Sequence, residues 1–291
     1  MLERTHGRAA GYPGERVPER RSLETEAPVQ VPQPEPAEGA SAADGGTGTA
    51  TKIPTPSAER DHRWGFGAFF LAEAVFILAS VTLAALFGNP RESAWFSTAL
   101  VCMLMLPTLV SAAVAVVITL VRGNGPRLDF GLHWRWEDVK TGFGIGLIGL
   151  LSTTVASMVW INWVGPENAT STVSSLLDGV QLSPSLAVLI FLHVWLIAPV
   201  CEEVLYRGLL WGAMERLRWS RISAFVLSTA VFAIGHLEPE RTWLLLIIAI
   251  PIGVARMRTG RLTASVVAHQ VNNFLPALGL LLISLGVVPA S

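Results

Sequence analysis

Beyond about position 60 the chain is a succession of long apolar runs separated by short polar breaks. Most runs approach the ~20 residues that an α-helix needs to cross a bilayer. The first extends from Trp64 to Phe87 and the second from Ala94 to Val121. A third covers Gly142 to Val164, with glycines at 142, 144, 146 and 149 that permit close helix approach. The fourth begins near Ser185 and continues to about Leu217. Three more follow, over Ile222–His236, Trp243–Ala255 and Leu262–Phe274. The remaining "ALGLLLISLGVV" is either a short eighth span or the far half of a helix kinked at Pro276. The pattern predicts an all-α, polytopic membrane helix bundle of seven or eight transmembrane helices.

Composition agrees. Of the 291 residues, 51% are hydrophobic and 15% charged, against about 25% charged in soluble domains. The first 60 residues differ, holding many Glu, Arg, Gly and Ala and almost no aromatics. They cannot bury enough apolar surface to offset ordering entropy and are expected to form a disordered cytoplasmic tail ahead of a membrane domain over 61–291. A net charge of −1 gives no footprint for nucleic acid. Cys102 and Cys201 sit in apolar runs without metal-ligand spacing.

Loop arginines and lysines orient the spans. Basic residues precede span one and recur at Arg122, Arg127, Arg135 and Lys140, at Arg216, Arg218 and Arg221, and at Arg256, Arg258 and Arg261. The loop "GPENATSTVSSLLDGVQLSPS" has none. The alternation places the N-terminus in the cytoplasm of a multi-pass protein of the cell membrane, with the bilayer as its first partner. The segment "DFGLHWRWEDVKTGF" before span three, with Trp134 and Trp136 among charges, reads as interfacial.

Against this background "PVCEEVLYRGLL" places Glu202, Glu203 and Arg207 inside a spanning run. Each such group costs roughly 2.5–3.5 kcal/mol near a bilayer centre. At 1.5 Å of rise per residue, Glu202 and His236 each lie roughly 21 Å from the basic ends of their helices, and His269 roughly 12 Å. Three helices thus carry a carboxylate and two imidazoles into one half of the bilayer. Glu203 and Arg207, four apart, share a face and can neutralise each other. Glu202, rotated about 100° away, is left for other work. His269 and Asn273 again share a face. A Glu and a His suit general-base activation of water, and an imidazole with an amide suits stabilisation of an oxyanion. No GxSxG, HExxH or GxGD stretch supplies a different hydrolytic kit. The set Glu202, His236 and His269 is an alternative zinc site with an open position for water.

"EEVLYR", "FAIGH" and "HQVNN" resemble, in order, the motifs EExxxR, FxxxH and HxxxN of the CPBP family, which comprises CAAX-processing, bacteriocin-processing and lysostaphin resistance protein A-like membrane proteases. The resemblance covers roughly residues 130–290, and no motif position departs from the pattern. It implies an intramembrane endopeptidase acting on a membrane-associated peptide or protein. Glu202 with His236 would activate the water, His269 and Asn273 would hold the oxyanion, and Glu203 and Arg207 would shape the site. It also implies a metal-independent mechanism with no required cofactor, Zn2+ being the alternative. A catalytically silent membrane scaffold or bacteriocin-immunity protein of the same fold is the second functional reading.

Overall fold

A computed structural model of the chain describes residues 62–89, 95–165, 169, 171–177 and 180–288; the expected tail lies outside them. The described part is predominantly helical, with no strand. Its long helices are α1 (Phe66–Phe87), α2 (Phe96–Arg122), α3 (Trp136–Val164), α4 (Pro184–Arg216), α5 (Arg221–Gly235), α6 (Thr242–Thr259) and α7 (Leu262–Ser284). Six are long and apolar enough to cross a membrane. α5, with 15 residues, reaches only about 22 Å of the ~30 Å hydrocarbon core. The stretch after Pro276 is the far half of α7, so the described bundle has seven long helices and no eighth span. Pro107, Pro251 and Pro276 all lie inside helices, which neighbouring helices make tolerable in an apolar bundle.

The outer surface is apolar. On α3, Ile148, Leu151, Val155, Met158 and Val159 are all more than half exposed. A soluble protein would cover such a stripe; on a multi-pass membrane protein it faces lipid. Inward, small residues let helices close on one another. A Cβ at Gly142 would collide with the Ala264 carbonyl oxygen of α7, and one at Gly146 would lie 2.7 Å from the Val271 Cβ, whereas Gly144 faces open space. Three of the four predicted contact glycines therefore serve: Gly142 and Gly146 against α7, and Gly149 against Pro251 of α6.

Most of the basic residues gather at one end of the bundle, Arg241 and the buried Arg207 excepted. The Arg63 N–H donates to the Arg122 carbonyl, joining the start of α1 to the end of α2. Arg216 at the end of α4 donates to the Trp64 carbonyl. Arg256 donates to the carbonyls of Phe130 and Gly260, and Arg261 pairs with Asp138 in the first turn of α3 at 3.2 Å. At the opposite end the Leu182 N–H donates to the Ser284 carbonyl, so the end of α7 meets the arginine-free α3–α4 loop. In that loop a short helix, Thr172–Leu177, is tied by the Thr172 N–H to Glu238 between α5 and α6. Burial alone would raise the Glu238 carboxyl. Hydrogen bonds from Thr172, with Arg241 and His236 nearby, hold it below the ordinary carboxylate value instead.

Candidate functional site

α4 is not a uniform α-helix. Residues His193–Ile197 and Val204–Leu210 are π-helical and flank the ordinary turn Ala198–Glu203 that carries both glutamates. Each π stretch bonds to the fifth residue back: the Ala198 N–H donates to the His193 carbonyl and the Trp211 N–H to the Tyr206 carbonyl. Such wide turns are rare and displace carbonyls from the regular ladder. Two amides of α7 meet carbonyls of the first π stretch. Gln270 Nε2 donates to the Leu196 carbonyl at 3.1 Å, and Asn273 Nδ2 to the Val194 carbonyl at 3.3 Å.

Between these clamps lies the charged centre. Arg207 donates to Glu203 Oε1 at 2.9 Å, with both side chains wholly buried, as their spacing predicts. The guanidinium also donates to the Ala249 carbonyl of α6 and lies 4.6 Å over the Phe232 ring of α5. The same Glu203 oxygen accepts the His269 Nδ1–H at 3.0 Å. On the other side of the imidazole, Nε2 is 3.6 Å from Glu202 Oε2. Glu202 is the more open of the two glutamates, its side chain 22% exposed. Adjacent carboxylates on α4 thus hold one imidazole of α7 between them.

His236 caps the end of α5, where its Nδ1–H donates to the Phe232 carbonyl at 2.8 Å. That bond fixes the tautomer and leaves Nε2 as the basic nitrogen. The Phe232 ring lies between the two histidines, 4.7 Å from the His236 ring and 5.6 Å from that of His269. The imidazole that Glu202 approaches, at 3.6 Å, is that of His269. Among the described residues no three His, Cys, Asp or Glu side chains are grouped to hold a metal ion. Glu202, His236 and His269 do not form such a group. Asn273 shares its helix with His269 but spends one amide N–H on α4, leaving the other for a ligand.

Other contributors have no motif to announce them. Tyr206 lies one turn after Glu202, and its ring packs edge-on against Phe232 at 5.3 Å and close to Phe69 of α1 at 6.0 Å. Its hydroxyl sits so near Gly235 that a Cβ there would meet it at 2.5 Å, which accounts for the glycine before His236. Gln270 and Tyr206 are both polar residues in apolar runs, and that was the only signal available.

Residues 184–275, from the start of α4 through most of α7, match the family model described as Type II CAAX prenyl endopeptidase Rce1-like. The match is to an Rce1-like domain and takes in under half of the chain. Every residue of the three motifs falls within this domain, consistent with a CPBP-family membrane protease, while α1, α2 and α3 lie before it. Neither the curated proteins nor the solved structures compared with the chain include a match.

Proposed function

We propose that this chain is an intramembrane endopeptidase, CAAX-protease-like in chemistry, with Glu202 as the general base. The observation that carries the reading is the order Glu203, His269, Glu202, at 3.0 and 3.6 Å across one imidazole. With Nδ1–H given to Glu203, a neutral His269 turns a lone pair toward Glu202, itself an acceptor. A mobile proton, or a water donating to both, is needed in that gap, which is slightly longer than a direct hydrogen bond.

Such a water is the nucleophile. Its proton passes to Glu202 as its oxygen bonds to the scissile carbonyl carbon. The oxyanion formed is stabilised by the free N–H of Asn273, while the His269 Nε2 lone pair holds the water by accepting its remaining O–H. Collapse breaks the C–N bond, and Glu202 returns the proton to the departing amine. The Glu203–Arg207 pair holds His269 in the required tautomer without adding net charge. His236, with Nε2 basic, orients water or the leaving amine. The substrate is a membrane-associated protein or peptide, and the arginine-rich end of the bundle lies in the cytoplasm.

Peptide cleavage by the purified chain tests this. Glu202→Ala and His269→Ala should each lower kcat by about 10²–10⁴-fold, and a chelator should leave turnover unchanged. Equal cleavage by the wild type and both variants overturns the assignment. A folded wild type with no cleavage favours the silent scaffold.

A further inference from the structure

We propose that the cleft between the start of α1 and the end of α2 is a binding site for the phosphodiester headgroup of an anionic membrane phospholipid. A cavity of about 180 Å³ opens there, lined by Arg63, Trp64, Gly67, Ala68, Ile118 and Arg122 among others, far from the Glu202 site in sequence and on different helices. The Arg63 N–H donates to the Arg122 carbonyl at 2.7 Å. That bond places the two backbones side by side, so both guanidiniums can reach one phosphate as planar, two-pronged donors.

Neither arginine has an acidic partner among the described residues, whereas Arg207, Arg241 and Arg261 are all paired. The acid in this corner, Asp129, is already spent on the Trp64 indole N–H and on Asn124. Arg216, bound to the Trp64 carbonyl, adds a third positive charge behind the cleft. Among the described residues, these two exposed cations over a cavity have no anion against them.

The lower wall selects the occupant. Ala68, Leu71 and Ile118 continue the cleft along the bundle. Leu71 is 52% exposed, and Leu120 and Val121 beside Arg122 are 63% and 69% exposed. A phosphate with acyl chains satisfies the arginines and this apolar strip together; free phosphate satisfies only the arginines. Basic pockets between helices at the cytoplasmic face are suited to anionic headgroups on general electrostatic grounds.

The full-length chain, purified in detergent, can be assayed by native mass spectrometry against phosphatidylglycerol, phosphatidylcholine and inorganic phosphate. The wild type should retain phosphatidylglycerol over phosphatidylcholine. Each of Arg63→Gln and Arg122→Gln should weaken that retention roughly fivefold, and the pair about 30-fold. Arg258→Gln, an exposed charge at the same end, should leave it unchanged. Full retention by the double variant, or an equal loss in Arg258→Gln, overturns the site. Displacement of the lipid by equimolar inorganic phosphate overturns the lipid as occupant. If the double variant fails to fold, the fivefold loss in each single variant decides.

Discussion

The Glu203–Arg207 pair gives the sharpest stability test of the site. Both side chains have no exposed surface and their charged atoms are 2.9 Å apart. At an effective dielectric constant of about 20 that separation corresponds to roughly 6 kcal/mol of attraction, most of it offset by the cost of taking both ions out of water. Arg207→Ala removes the compensation but leaves Glu203 buried. The carboxylate's escape is to take up a proton, and neutralising an ordinary glutamic acid at pH 7 costs about 3.7 kcal/mol. That figure limits the charge penalty. Loss of the guanidinium's position over Phe232 adds about 1 kcal/mol. The expected destabilisation at pH 7 is therefore about 3–5 kcal/mol, or roughly 6–20 °C in Tm.

The double variant Glu203→Gln/Arg207→Met removes both charges while keeping an oxygen to accept the His269 Nδ1–H. It should recover most of the lost stability, because no ion is left buried alone. Unfolding of the detergent-solubilised chain, followed through its ten tryptophans, reads the wild type and both variants. An Arg207→Ala Tm within 2 °C of the wild type at pH 7, or a double variant no more stable than Arg207→Ala, would refute the reasoning.

Gln270→Leu leaves the Leu196 carbonyl without its side-chain donor, which costs about 1–3 kcal/mol. It should lower kcat more than it raises KM, and an unchanged kcat would show that the π turn needs no clamp. Gly142→Val forces α3 off the Ala264 carbonyl and should cost about 1–3 kcal/mol in thermal unfolding, while Gly144→Val stays within about 0.5 kcal/mol; equal losses would sink the packing assignment. Glu238 is held below the ordinary carboxylate value, so its tie to Thr172 is present above that value and lost as pH falls through the lowered one. The Thr172 amide resonance, followed by NMR from pH 7 to 3, should titrate below the ordinary glutamate midpoint; titration at or above it contradicts the tie.

The spans were legible because bilayer physics imposes long apolar runs, and the observed helices begin and end within a few residues of them, apart from two ends. α3 starts at Trp136 rather than Gly142, because the interfacial segment is itself helical: Glu137 and Asp138 favour a helix N-terminus, and Asp138 finds Arg261. α7 continues past Phe274 through Pro276. The Glu203–Arg207 pair was equally legible, since four residues on one helix fix a face. The partner of Glu202 was not. Uniform rise puts Glu202 and His269 about 9 Å apart in depth, yet they meet at 3.6 Å. Uniform rise ignores helix tilt and the two π stretches of α4, and the first of those stretches meets donors from α7 that no local pattern reveals.

The rotation of α7 ties these observations together. Asn272 and Asn273 are neighbours whose side chains leave the helix about 100° apart. Asn272 accepts the Thr153 hydroxyl of α3 at 2.9 Å, while Asn273 reaches α4 on the other side. Glycines 142 and 146 bring α3 close enough to α7 to make that seat rigid. With one amide held by α3 and the other by the π turn of α4, α7 has one rotational setting, and in it His269 points between the two glutamates. The three motifs carry the proposed chemistry, but α3, outside the matched domain, fixes the angle at which the imidazole meets its carboxylates.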